Sequence, residues 1–325
     1  MRTIAAIFAG LTGLSALAFA AVLIIQTAFD RSGPLEDQKI VEIPRGAGLS
    51  VIARRLEGED VVSDARLFSL LVSINRSQGS LQAGEFEFPA GVSARGAMDI
   101  LVDGQAIQYA FTVPEGLTST QIVNLLNADD RLTGEISVIP PEGALLPETY
   151  NFTKQDSSRA EILARMEQAM ERALAEVWEQ RQDELPLENP AEMVTLASII
   201  EKETGLSDER PLVSSVFINR LNRGIPLQSD PTTIFAITLG KEDLGRPLTR
   251  NDLTVESPYN TYFVGGLPPG PIANPGRASL MAAVSPAESN YIFFVADGTG
   301  GHAFAETLEE HNRNVAAWRR IRDGG

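Results

Sequence analysis

A pattern of strand, Pro-x-Gly turn and helix recurs in three places and constrains the fold more than any other feature of the chain. The copies are "VEIPRGAGLSVIARRL" from Val41, "FEFPAGVSARGAMDIL" from Phe86 and "FTVPEGLTSTQIVNLL" from Phe111. In each, alternating residues predict a short strand, proline ends it, and glycine permits the tight turn. Apolar residues one helical turn apart then predict an amphipathic helix. The matching positions are Pro44, Gly46, Ile52 and Leu56; Pro89, Gly91, Ala97 and Leu101; and Pro114, Gly116, Ile122 and Leu126. Pro44 and Pro89 lie 45 residues apart, but Pro89 and Pro114 only 25. A solenoid needs an even period, so the copies predict strand–helix units of one small α+β module, assigned to residues 40–140.

The segment before this module is apolar. Ile4 to Phe29 contains no charged residue, and roughly 20 apolar residues suffice to cross a bilayer. We therefore expect residues 4–29 to be a transmembrane anchor, with 1–3 cytoplasmic and 30–39 a polar linker. A cleaved signal peptide is the competing reading, because "ALAFA" offers small residues for cleavage. Arg2 precedes the run and Asp30, Arg31, Glu36 and Asp37 follow it, so the positive-inside rule places the bulk of the chain outside the cytoplasm.

Composition excludes several function classes. A formal charge of −16 disfavours nucleic acid, whose phosphates demand clustered Lys and Arg. The chain has no cysteine, hence no disulfide, thiolate nucleophile or Cys-ligated zinc. His302 and His311 are its only histidines, too few for a His-rich metal centre or a comfortable Ser-His-Asp triad. No metal or cofactor is expected.

The remainder, 141–325, is predicted to be a mixed α/β domain. Helices are expected over about 158–182, 191–204 with Gly205 as its C-cap, 208–223, 278–285 and 307–321. A strand is expected at "YIFFVAD", with "GTGGHAF" as a loop after it. The stretch "SPYNTYFVGGLPPGPIANPG" is richer in Gly, Pro, Tyr and Asn than packing requires, and such loops often carry binding groups.

The second of these helices ends in "LASIIEKETG". At about 100 degrees per residue, Met193, Leu196, Ala197, Ile200 and Thr204 form one face. Glu201 and Glu203 fall on opposite shoulders of it, and Lys202 points away. Partial desolvation on a shoulder favours a protonated carboxyl, as does a position near the helix C-terminus. Neither glutamate has a basic residue three or four positions away to explain it as half of an ion pair. Helix geometry leaves the choice between the two open.

Five blocks, "LASIIEKETG", "DERPLVSSVFINRLNRGIPLQSDPT", "SPYNTY", "GLPPGPIANPGRASLMAAVSPA" and "GGHAFAETLEEHN", together with the upstream "PEGALLPETY", resemble the endolytic murein transglycosylase family (MltG, YceG-like). The strand–helix module resembles a degenerate LysM glycan-binding module. The family resemblance implies a lyase of the bacterial inner membrane that faces the periplasm. It would cut within peptidoglycan glycan strands and leave 1,6-anhydro ends, in contact with cell-wall synthases. It implies that Glu201 is the catalytic glutamate, acting as acid and then base. It further implies that Gln228, Asp230, Tyr259, Asn260 and Tyr262 bind substrate, with His302 as a weaker candidate. Asp230 is equally readable as a helix N-cap before Pro231. Two rivals remain: a two-carboxylate muramidase, with Glu203 or Asp230 as the second group, and a non-enzymatic peptidoglycan-binding scaffold.

Overall fold

The computed structural model describes Ala20 and residues 23–324. It is a mixed α+β structure of helices and two-stranded sheets. Most of the expected anchor, 4–29, lies outside the described residues. Among the described residues no helix is long and apolar enough to cross a membrane. The described residues form two compact units, one reaching to Ala110 and including 151–156, the other made of 111–150 and the residues from Ser157 onward.

In the first unit, β1 (Lys39–Ile43) pairs antiparallel with β2 (Gly84–Phe88), with Val41 opposite Phe86. Between them run α1 (Leu49–Gly58) and α2 (Ala65–Ile74), and α3 (Ala94–Asp103) follows β2. The repeated motif builds what its spacing predicts: Ile52 and Leu56 of α1 and Ala97 and Leu101 of α3 are all buried in one core. Gly46 and Gly91 adopt φ +75 and +66, a region other residues occupy only with strain. Helix α2 has no counterpart in the sequence reading. Asp64 caps it, its carboxylate accepting N–H bonds from Arg66 and Leu67. The 30–39 segment is packed rather than free. Leu35 joins the core, and Gly33 donates its N–H to Val92 O at 3.1 Å. A side chain at Gly33 would meet that same oxygen at 2.3 Å, so only glycine fits.

The division between units does not coincide with residue 140. It passes through the paired strands β3 (Tyr109–Thr112) and β4 (Thr149–Phe152), and the third motif copy therefore belongs to the second unit. There α4 (Ser119–Ala128) buries Ile122 and Leu126 behind a capping box made by Thr118 and Gln121. Next come α5 (Arg159–Glu179), α6 (Pro190–Glu203), α7 (Arg210–Asn222), α8 (Asp230–Thr238) and α9 (Arg277–Val284). The antiparallel pair β5 (Phe293–Ala296) and β6 (His302–Ala305) and the final helix α10 (Leu308–Gly324) complete the unit. The expected "GTGGHAF" loop is thus half strand.

Helix α6 is the axis of this unit. It packs against α5, α7, α8 and α9, and every residue from Met193 to Ile200 is buried. The single buried face read from the sequence is therefore too narrow: Val194, Thr195, Ser198 and Ile199 are enclosed as well. Polar Ser198 is tolerated because its hydroxyl donates to Thr195 O and accepts the N–H of Ile272. Asn189 caps the start, and Pro190 sits where its missing N–H costs nothing. The helix ends at Thr204, not through a left-handed Gly205. Thr204 turns to extended backbone, and its hydroxyl accepts the N–H of Leu206 at 3.1 Å and donates to Glu209 at 3.3 Å.

Candidate active site

Two chemically different environments lie at the C-terminal end of α6, one for each glutamate. Glu201 faces a cation. Its Oε1 lies 3.2 Å from Arg210 Nη2, its Oε2 accepts the N–H of Gly276 at 2.9 Å, and its side chain is 4% exposed. The same Arg210 nitrogen is 3.2 Å from Glu115 Oε2. The Glu115 carboxyl is pushed up by its burial and by the neighbouring Glu201 charge, against the pull of Arg210.

Glu203 has no such cation in contact. Its Oε1 accepts a 2.6 Å hydrogen bond from the Ser229 hydroxyl. Burial pushes this carboxyl from an ordinary 4.5 up to about 7. The charge of Asp230 adds to the rise, while the Ser229 bond and the more distant His302 and Arg220 oppose it. A carboxyl of that affinity holds a proton near neutrality and can release it.

The loops bring partners to Glu203 by interlocking. Ser229 N–H donates to Thr261 Oγ1 at 3.0 Å, Gln228 N–H to Thr261 O at 3.2 Å, and the Thr232 and Thr261 hydroxyls meet at 2.8 Å. The blocks "LQSDPT" and "SPYNTY" are therefore one assembly. Gln228 at its edge has φ +52, a strained value for a side chain of its size. Gln228 and Asp230 are exposed. Asp230 accepts the Tyr262 hydroxyl at 2.7 Å, and burial, with Asp230 beside it, pushes the Tyr262 phenol up. Asp230 opens α8 but does not cap it; Ser229 occupies the cap position and spends its hydroxyl on Glu203.

Two expected substrate-binding residues stand apart from this surface. Asn260 is fully buried and committed to its own loop and to α8. It donates to Leu253 O and Val255 O, and accepts from Thr233 Oγ1 and Tyr262 N–H. Tyr259 is half-buried, its ring centroid 4.8 Å from that of Phe235. The cavity of about 720 Å³ that the Gly265–Pro271 loop helps to enclose lies along the N-terminal half of α6, where Asn189, Ala191, Glu192 and Thr195 line it. Glu203, Asp230 and Tyr262 are not among its lining residues.

Residues 41–317 match the YceG-like family. The chain belongs to this family. It is 33% identical over 307 residues to an endolytic murein transglycosylase of Bacillus subtilis (strain 168), covering 84% of this chain and 82% of that protein. A protein of the same name from Streptococcus pneumoniae serotype 2 is 29% identical over 322 residues, or 85% of this chain and 57% of the relative. The crystal structure of a putative YceG-like protein from Listeria monocytogenes aligns with a TM-score of 0.53 at 31% identity, covering 85% of this chain and 98% of that one.

Arg220 and Glu209 carried no local signal in the sequence of this YceG-like chain. Arg220 is buried in α7 and anchors the approach to Ser229, donating to Pro226 O at 3.1 Å, Leu227 O at 2.8 Å and Ile292 O at 2.6 Å. Glu209 holds His302 twice, accepting its backbone N–H at 2.8 Å and lying 2.7 Å from its Nδ1. Those bonds outweigh the effect of burial and hold the Glu209 carboxyl below its usual range. Among the described residues no group of His, Asp and Glu is arranged to hold a metal ion.

Proposed function

We propose that this chain is an endolytic peptidoglycan lytic transglycosylase in which Glu203, rather than Glu201, moves the proton. The observation that carries the assignment is the contrast between the two carboxyls. Glu203 is raised to about 7 and bonded only to a neutral hydroxyl, whereas Glu201 is bound by Arg210 and Gly276 N–H. The relatives named endolytic murein transglycosylase support the reaction class.

In this reading the Glu203 acid protonates the glycosidic oxygen between an N-acetylmuramoyl unit and the following N-acetylglucosamine. The bond from the muramoyl anomeric carbon to that oxygen breaks, and the glucosamine unit leaves with its hydroxyl restored. The muramoyl 6-hydroxyl then attacks the anomeric carbon while its proton passes to the Glu203 carboxylate. A 1,6-anhydro end forms, the acid is regenerated, and no water is consumed. One carboxyl serves both steps, which differs from the paired carboxyls of glycoside hydrolysis. Asp230, fixed by Tyr262, supplies a negative charge that keeps the Glu203 proton in place and offsets positive charge developing on the sugar. Tyr262 and Gln228 bind the strand, and Asn260 with Tyr259 shapes the loop beneath them. Residues 4–29 anchor the protein in the inner membrane with its bulk on the periplasmic side, the LysM-like module engages glycan, and cutting of nascent strands beside the synthases ends their elongation.

The test is the chemistry of the new ends released from uncrosslinked glycan strands, read by mass. Ends lighter by one water than a reducing sugar support the proposal. Reducing ends would instead identify a muramidase, and intact strands a binding scaffold.

A further inference from the structure

The third copy of the repeated turn does something the first two do not. Its middle residue is Glu115, where the others carry Arg45 and Ala90, and the turn closes around the end of α6 from several directions. Glu115 pairs with Arg210, which pairs with Glu201. Gly116 O accepts Lys202 Nζ at 3.2 Å, and Gly116 N–H donates to Asn274 O at 3.0 Å. Asn274 in turn is fixed at both its backbone and its side chain. Its N–H and Nδ2 donate to Leu117 O at 2.9 and 3.1 Å, and its Oδ1 accepts the N–H of Leu145 at 2.9 Å. Two residues beyond Asn274, Gly276 completes the ring by donating to Glu201.

The fit is close. A β-carbon at Gly276 would fall 1.7 Å from Glu115 Oε1, and one at Gly116 would touch Glu201 and Lys202 at 3.5 Å. Gly116 also needs its φ of +76. Arg210 is buried, yet it brings the two carboxylates together with one nitrogen and leaves its Nε unpartnered. A buried charge tied this way is weak as a source of stability but strong as a fixer of geometry. The tied residues, Glu201 and Lys202, immediately precede Glu203.

We propose that Glu115, Arg210 and Glu201 form a latch that positions Glu203 for proton transfer, so the third motif copy is part of the catalytic apparatus. This rests on the assignment of the proton to Glu203. None of the three latch residues contacts substrate in this account. They act by fixing the last turn of α6, where a displacement of about 1 Å costs on the order of 100-fold in rate.

The experiment compares kcat, KM and melting temperature of the full chain with those of E201Q, E201D, E115Q and E203Q, using uncrosslinked glycan strands. In E201Q, Arg210 keeps Glu115 as a partner and Gly276 keeps an acceptor, so the fold survives. We expect kcat to fall about 10- to 100-fold, with KM within about twofold because strand-binding groups are untouched. E201D, which restores the charge, should recover part of the lost kcat, and E115Q should lower kcat in the same direction. An E201Q with unchanged kcat overturns the latch, as does one whose loss is matched by a loss of folded protein or is not relieved at all in E201D. E203Q separates the layers. If it is inactive while E201Q is fully active, only the latch falls; if E203Q is fully active, both fall.

Discussion

Replacing Glu203 with glutamine should abolish activity and yet stabilise the protein, and the gain should appear only as pH rises. The Glu203 carboxyl is raised from 4.5 to about 7 chiefly by burial. Because the folded state holds this proton more tightly than the unfolded chain, the stability it contributes is complete below 4.5 and is lost as pH rises through 7. Each factor of ten in proton affinity is worth about 1.4 kcal/mol, so the ionised group costs about 3 kcal/mol at pH 8 and less than about 1 kcal/mol at pH 5. Glutamine has no charge to bury and keeps an oxygen to accept the Ser229 hydroxyl. At pH 8 the variant should unfold roughly 6 °C or more above the parent, whereas at pH 5 the two should be within about 2 °C. Thermal unfolding of both proteins at the two pH values is the assay. A variant less stable than the parent at both, or a shift independent of pH, would refute the claim that burial raises this carboxyl.

Other outcomes follow from the same geometry. In S229A the bond that lowers the Glu203 affinity is gone, so the alkaline limb of the kcat profile should move to higher pH. Y262F should lower kcat about tenfold with little change in melting temperature, since it removes the hydroxyl that Asp230 accepts. N260A should cost about 3 kcal/mol in urea unfolding, because a fully buried amide with four protein partners is removed and its partners are left unsatisfied. Glu142, also raised to about 7 by burial despite N–H bonds from Ser119, adds to the stability lost above neutrality. E142Q should therefore flatten part of the parent's decline between pH 5 and 8.

What the sequence made legible was what nearest neighbours along the chain decide. The Pro-x-Gly turns, the burial of Ile52, Leu56, Ala97, Leu101, Ile122 and Leu126, and the main helices of the second unit follow from local periodicity and backbone sterics. Enclosure is not local. Met193 to Ile200 of α6 are all buried because four helices pack against it, and a polar residue such as Ser198 hides that from any count of apolar positions. The two glutamates show the same limit. Glu201 lacks a basic residue three or four positions away on its own helix, but Arg210 reaches it from α7, and Ser229 reaches Glu203 from the start of α8. The family resemblance implies a substrate-binding role for Asn260, whereas its bonds to Leu253 and Val255 are not visible in a sequence. The family blocks were recognisable by order and spacing, and residues 41–317 do belong to the YceG-like family.

The most direct test of the account is the mass of glycan fragments released by the parent, E201Q and E203Q under identical conditions. The parent should release 1,6-anhydro ends, E201Q a reduced yield of the same ends, and E203Q none. Anhydro ends persisting in E203Q while vanishing from E201Q would contradict it and return the proton to Glu201.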